Sequence, residues 1–348
     1  MNDLFPVRIG FIGAGANTRA RHLPEFKAIP GVELQFVCNR SAESSQRVAE
    51  EFGVARIEQN WREAVKAPDV DAICIGTWPY MHSEVSIAAL KAGKHVLTEA
   101  RMARNISEAK LMLLAARSNS RLAAQIVPAP MSLDLDAKVQ EIIAAGWIGR
   151  LREVCVTHTS GIYADAAAPY SWRQDFNLSG YNTLTVGIYY EIVRRWLGSD
   201  PKRVFALGSV FTRERPDGES GSPKSVRIPE SITILGRYAE DARFVGHFSG
   251  VEEGGGRNEI RINGSAGCLR ADLAKARLWY TPVGGSEEAV VIPASMRRGW
   301  RVEQDFIASI RTGAPVKLTS FEDGMQYMRF TEAVFRSQES GGTWIDVV

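Results

Sequence analysis

The chain has 348 residues, 45% apolar and 24% charged, with a net charge of +2. That balance suits folded globular domains and excludes a disordered or fibrous chain. Near-neutral charge with no dense Lys/Arg run gives no pull toward nucleic acid or anionic membranes, which leaves small-molecule chemistry as the expectation.

Residues 1–6 lead almost directly into the first apolar run, without a cleavable leader, and no apolar stretch reaches membrane-spanning length, so a cytoplasmic protein is expected. Cys38, Cys74, Cys155 and Cys268 are widely separated, and His22, His82, His95, His158 and His247 form no pair at ligand spacing. Reduced thiols and no metal site are therefore expected.

From residue 7 to about 127 strand and helix patterns alternate. Strands are predicted near 7–12, 32–38, 71–76, 94–98 and 121–127, and helices near 17–28, 41–52, 81–92 and 105–119. Alternation with short connections predicts a doubly wound parallel sheet, a Rossmann domain over residues 1–127. The run at 71–76 is apolar nearly throughout, as a strand covered on both faces should be.

After Pro128 the pattern changes, and residues 128–348 read as a second, α+β domain. It starts with a helix over 133–145, a strand over 151–159, an irregular aromatic stretch and a helix over 182–197. Strands then follow near 203–212, 226–238, 242–250, 257–263, 267–272 and 276–281, which predicts an open, mostly antiparallel sheet. Helices near 299–311 and 321–340 close the chain. Residues 214–224, rich in charge, Gly, Ser and Pro, read as a mobile surface loop.

The most informative stretch is Val7-Arg8-Ile9-Gly10-Phe11-Ile12-Gly13-Ala14-Gly15-Ala16-Asn17-Thr18, a strand, a glycine turn and a helix start. Gly13 permits the tight turn, and Gly15 lets backbone N–H groups approach a pyrophosphate. The helix after Ala16 turns its positive end to that charge. Thr18 occupies the third glycine position. At the end of the second strand, where the adenosine ribose is met, stand Asn39, Arg40 and Ser41 rather than an acid. Asn followed by Arg and Ser accommodates a 2′-phosphate, so NADP is favoured and NAD stays open.

By these residues the chain resembles the glucose-fructose oxidoreductase and inositol dehydrogenase family (Gfo/Idh/MocA). The resemblance also rests on Ala-Ala-Leu-Lys-Ala-Gly-Lys-His-Val-Leu at 88–97, Ile148-Gly149-Arg150, Gly187-Ile188 leading to Arg195-Trp196-Leu197, and Glu322-Asp323-Gly324. It implies hydride transfer between NAD(P) and a sugar or cyclitol hydroxyl, and oligomerisation, as a homodimer or homotetramer, through the C-terminal sheet. Two departures stand out. The family's Glu-Lys-Pro is Glu99-Ala100-Arg101 here, and its helix Asp and His positions hold Thr185 and Tyr189. The usual lysine and histidine are both replaced.

The candidate proton-handling residues are therefore Tyr189, Arg101 and Glu99. A phenol of ordinary pKa about 10 needs a nearby cation to act as a base near neutrality. Gly13, Gly15, Ala16, Asn17, Thr18, Asn39, Arg40, Ser41, Gly76, Thr77, Trp78, His82 and Glu99 are the candidate cofactor contacts. In the family-like turn at 76–82, Trp78 is expected to cover the cofactor. Tyr163, Trp172, Arg173, Asp175, Asn182 and Thr185 combine flat apolar surfaces with hydroxyl-bonding groups, as a sugar site requires; an Arg173–Asp175 pair inside a packed loop is the structural alternative. Three functions stay open: a polyol oxidoreductase, a cofactor-binding sensor or partner protein without redox turnover, and an NAD(P)-assisted lyase or glycosidase with transient oxidation.

Overall fold

The computed structural model describes residues 5–348. In chain order its elements begin with β1 (Val7–Ile12), α1 (Leu23–Ala28), β2 (Val32–Cys38), α2 (Ala42–Phe52), β3 (Arg56–Ile57), α3 (Trp61–Ala64) and β4 (Ala72–Ile75). Next come α4 (Pro79–Lys91), β5 (His95–Thr98), α5 (Ile106–Ser118), β6 (Ala124–Ile126), α6 (Asp136–Ala144), β7 (Leu151–Thr159), α7 (Phe176–Ser179) and α8 (Val186–Leu197). Strands β8 (Arg203–Ser209), β9 (Glu214–Pro216), β10 (Pro223–Ser225), β11 (Ser231–Arg237), β12 (Arg243–Ser249), β13 (Asn258–Gly264), β14 (Gly267–Asp272), β15 (Arg277–Pro282) and β16 (Glu288–Val290) follow. Helices α9 (Val302–Thr312) and α10 (Phe321–Glu339) and strand β17 (Ile345–Asp346) end the chain.

Two compact units result. The first runs to Pro128 and takes in Arg301–Gln326; the second holds Ala129–Trp300 and Tyr327–Val348. The expected division placed everything after residue 127 in the second domain, but α9 and the start of α10 return to the first. An isolated bridge from Gln125 to Ser320 and the Ile126 N–H bond to Thr319 at 2.8 Å extend the edge beside β6 with this returning segment.

The first unit carries a parallel sheet ordered β3-β2-β1-β4-β5-β6, the order of a doubly wound nucleotide-binding domain. Every residue of β4 is buried, in keeping with its unbroken apolar run. The second unit carries a sheet ordered β16-β15-β14-β13-β7-β12-β11-β8-β17. All its pairings are antiparallel except β7 with β12.

The supposed mobile loop at 214–224 is corrected: β9 and β10 form a hairpin, and Arg215 within it is only 1% exposed. Its Gly, Ser and Pro build a tight turn around Asp217, whose carboxylate accepts the N–H groups of Glu219 and Ser220.

The glycine turn after β1 is packed by a second turn after β4. Gly13 has φ +77, donates its N–H to Cys38 O at 2.9 Å, and has no room for a Cβ, which would lie 2.6 Å from the Thr77 side chain. Thr18 packs against Gly76, where a Cβ would fall 2.0 Å from Thr18 Oγ1 and 2.2 Å from Gly13 O. The close approach that a third fingerprint glycine ordinarily permits is supplied by Gly76, from the facing turn. Gly76→Ala is expected to lower stability by about 1–3 kcal/mol through overpacking, read as a drop in melting temperature; an unchanged melting curve would contradict this packing.

Candidate functional site

In the first unit a cleft of about 620 Å³ opens at the carboxyl ends of the strands. Its walls include Gly13, Gly15, Asn39, Arg40, Gly76, Thr77 and Trp78, so seven of the expected cofactor residues converge. The wall also includes Ser44, Gln59, Trp61 and Tyr80, which the sequence reading did not select. Gln59 and Trp61 follow a strand of two residues, too short for any periodic signal. Tyr80 lies two residues beyond Trp78, and both are more than a third exposed.

Asn39 is fixed by its own hydrogen bonds. Its Oδ1 accepts the Ala14 N–H at 2.6 Å and its N–H donates to Ser45 Oγ at 3.0 Å. Since Oδ1 serves the glycine turn, the amide NH₂ is the end left to donate to a ligand. Ser41 caps α2, accepting the Ser44 N–H at 3.2 Å, while Arg40 is exposed at the cleft wall. Among the described residues that line the cleft, none carries a carboxylate.

Other expected contacts lie elsewhere. Ala16 and Asn17 are exposed at the start of the helix that follows the glycine turn, outside the cleft wall, and Thr18 is buried behind it. His82 is corrected as a cofactor contact: it is fully buried, its Nδ1 facing Arg101 O at 2.9 Å and its Nε2 facing Thr77 O at 3.0 Å. Burial holds its pKa below the ordinary value despite these carbonyls. It ties the turn after β4 to the segment after β5. In that segment the Ala100–Arg101 peptide is cis and Arg101 is buried at 5% exposure. Glu99, at the end of β5, accepts Asn17 Nδ2 at 2.6 Å and meets His22 Nε2 at 3.1 Å, both on Oε1. Burial favours the neutral acid, but the His22 bond and charge and the Asn17 bond outweigh it and hold Glu99 below the usual carboxylate range.

The second unit places Tyr189 on α8, 1% exposed, its ring stacked on His158 with centroids 4.7 Å apart. The hydroxyl lies 2.8 Å from His158 Nδ1 and also bonds Asn258 Oδ1. Burial pushes this phenol well up, against a modest opposing effect of Asn258, so Tyr189 by itself cannot serve as a base near neutrality. His158 lies on β7, and its burial keeps it below its ordinary value, hence neutral at pH 7. Position 158 is separated from 189 by 31 residues, and only the packing of α8 on the sheet joins them.

The second half of α8 is anchored by Arg195, which pairs with Asp136 at 2.6 Å and with Glu191, while Trp196 Nε1 donates to Asp136 Oδ1 at 2.7 Å. This explains the Arg-Trp-Leu ending seen in the sequence.

The aromatic segment is held from beneath. Arg215 is paired with Glu230 at 2.8 Å, both essentially unexposed, and donates to the carbonyls of Tyr163, Asp165 and Ala168 at 2.8, 2.6 and 3.3 Å. Glu230 also accepts the N–H groups of Phe211 and Thr212, each at 2.9 Å. Tyr163 is buried here, and Asn182 is buried with its Nδ2 on Ser179 O at 2.6 Å. Trp172 and Arg173 remain accessible, the guanidinium 4.4 Å above the Trp172 ring, while Asp175 caps α7 through Asn177 N–H at 2.9 Å. The alternative Arg173–Asp175 pair does not form. Thr185, at the N-terminus of α8, keeps its Oγ1 buried without a hydrogen-bond partner among the described residues.

Arg215→Met leaves Glu230 buried without its cation and is expected to cost about 3–5 kcal/mol, part of which Glu230→Gln should restore in the double variant. Equilibrium unfolding checks this, and a double variant no more stable than Arg215→Met would contradict the ion-pair account.

The family model described as "Oxidoreductase family, NAD-binding Rossmann fold" (GFO_IDH_MocA) matches residues 7–126, and the GFO/IDH/MocA C-terminal domain matches residues 137–270. Levoglucosan dehydrogenase of Pseudarthrobacter phenanthrenivorans is 24% identical, with 98% of each chain covered. Myo-inositol 2-dehydrogenase of Thermotoga maritima is 26% identical, with 96% of each covered. Among solved structures, levoglucosan dehydrogenase in complex with NADH and L-sorbose superposes with a TM-score of 0.87 at 23% identity, covering 98% of this chain and 99% of that one. With both domain models matched in order and a fold shared along the chain, the protein belongs to the Gfo/Idh/MocA family of oxidoreductases, with that family's NAD-binding Rossmann and C-terminal domains.

Proposed function

We propose that this chain moves a hydride between the nicotinamide of NADP and a hydroxyl or carbonyl carbon of a sugar, cyclitol or related polyol. The observation that carries the cofactor half is the cleft wall. It has a glycine turn too tight for any Cβ at Gly13, an Asn39 whose Oδ1 is taken by the Ala14 N–H, an exposed Arg40 and, among the described residues lining it, no carboxylate to repel a 2′-phosphate. Gly13 and Gly15 would receive the pyrophosphate, Arg40 and Asn39 the adenosine end, Thr77 and Trp78 the face of the cofactor, and Glu99 a ribose hydroxyl. When bound, the cofactor supplies the hydride acceptor or donor. The polyol half rests on the named activities of the relatives and on the accessible Trp172 and Arg173, a flat face beside a multiple donor.

In this reading Tyr189 and His158 act as a pair. The buried phenol bonds the neutral imidazole, so a proton reaching the hydroxyl can pass to His158, an imidazole whose ordinary value lies far nearer neutrality than a phenol's. Thr185, whose hydroxyl has no hydrogen-bond partner among the described residues, would orient substrate, and Arg101 would supply positive charge. A second copy of the chain would pack on the open face of the C-terminal sheet, where Leu207 and Leu235 are exposed on paired strands, giving a homodimer or homotetramer. One observation favours a second reading, a cofactor-binding protein without turnover: the high pKa of the buried Tyr189 phenol beside the loss of the family lysine. Net reduction of NADP by a panel of sugars and cyclitols separates the two.

A fluorescence titration is expected to give tighter binding of NADPH than NADH, with the preference collapsing in Arg40→Ala by about tenfold or more, the scale of one charge-assisted phosphate contact. Equal affinities in the unmodified protein would overturn the NADP assignment. Tyr189→Phe is expected to lower kcat about 10²- to 10⁴-fold with NADPH affinity retained; unchanged turnover would remove Tyr189 from the chemistry.

A further inference from the structure

His22 closes the single π-helical turn, Thr18–His22, that follows the glycine loop, and it is completely buried. A carboxylate stands at each ring nitrogen: Glu303 Oε1 lies 2.5 Å from Nδ1 and Glu99 Oε1 lies 3.1 Å from Nε2. Glu303 is itself fully buried and comes from α9, part of the segment that returns to the first unit. Asn17 Nδ2 donates to the same Glu99 oxygen at 2.6 Å, which links the chain of bonds back to the start of the helix behind Gly13 and Gly15. The Phe26 ring is tilted over the imidazole, centroids 6.5 Å apart.

A neutral imidazole has one N–H, so it can serve only one of two facing carboxylates and turns a lone pair on the other. An imidazolium serves both. Two carboxyl groups facing one fully buried ring therefore favour its doubly donating, charged form.

We propose that His22 is a positioning residue of the cofactor site: as a doubly donating imidazolium between Glu303 and Glu99 it keeps Glu99 ionised and, through Asn17, sets the first turn behind the glycine loop, so that nucleotide binding depends on a proton stored beneath it. The proposal rests on the reading of Gly13 and Gly15 as the nucleotide loop. Other titratable groups also lie near the cluster. Cys74 on β4 is buried, its thiol pushed up by burial and by both carboxylates. His82 on α4 is held low by burial, and Glu25 on α1 is engaged by Gln304 at 2.9 Å. Burial opposes the imidazolium, but the bonds and charges of Glu303 and Glu99 outweigh it and raise His22 to about 9. Because the folded value lies above that of free imidazole, the stability it contributes is complete below about pH 6.5 and is lost as the pH rises through about 9.

The test uses the full chain and NADPH fluorescence, with affinity measured from about pH 7 to 10 in the unmodified protein, Glu303→Gln and His22→Gln; over this range the 2′-phosphate, of pKa near 6, does not titrate. The unmodified protein should bind evenly to about pH 8.5 and weaken about tenfold by pH 10. Glu303→Gln keeps a hydrogen-bonding partner at Nδ1 but removes a buried charge, so the break should move down by about one pH unit or more. His22→Gln should bind about fivefold or more weakly and show no break. A break that stays in place in Glu303→Gln, or a folded His22→Gln that binds within about twofold of the unmodified protein, overturns the proposal. If His22→Gln does not fold, the position of the break in Glu303→Gln decides. An unmodified protein that binds neither NADPH nor NADH overturns the cofactor reading on which the proposal rests, an outcome distinct from an unmoved break.

Discussion

The first unit depends on how closely two turns approach. Gly13 and Gly76 leave no room for a side-chain carbon between the turn after β1 and the turn after β4, and Thr18 fills what space remains. From that contact the rest of the cleft follows. Asn39 can reach the Ala14 N–H because β2 ends beside the turn, and Trp78 and Tyr80 enter the wall because α4 starts immediately after Gly76 and Thr77. A fingerprint with Thr18 in place of glycine is thus complete in three dimensions, since steric room is a property of the pair of surfaces rather than of one of them.

Buried charge organises both units, and in each case it fixes a segment with little regular structure of its own. His22, Glu99 and Glu303 join a helical turn, a strand end and a returning helix in the first unit. Arg215 and Glu230 hold the carbonyls of the irregular segment from Tyr163 to Ala168 in the second. Such clusters contribute little net stability compared with well-packed apolar groups, yet breaking one member is costly, so they define a single arrangement of the segments they join. That is the requirement of a site whose side chains must be held in place before a ligand arrives.

What was legible in the sequence was local. The alternation of apolar runs marked five of the six parallel strands, and the glycine turn with Asn39 and Arg40 at the end of β2 lies on the wall of the cleft at the strand ends. What escaped depended on distance along the chain or on the absence of a pattern. Glu303 stands 281 residues from His22, and no spacing rule joins them. Arg215 lies in a run whose composition reads as a loop, although its buried guanidinium bonds Glu230 and the carbonyls of Tyr163, Asp165 and Ala168. Tyr189 was found by its register, but its environment, a stacked histidine and a burial that pushes its phenol up, is tertiary and has no signal in the sequence. His82 carried a family-like position and proved to be a tie between two loops.

The central claim, that the cleft over Gly13 and Gly76 receives a dinucleotide with a 2′-phosphate, is tested most directly by a crystal structure of the chain grown with saturating NADP. The account predicts the pyrophosphate on the backbone N–H groups of the Gly13–Gly15 turn and the 2′-phosphate against Arg40. A cofactor seated away from that turn, or a 2′-phosphate with no contact to Arg40 or Asn39, would contradict it.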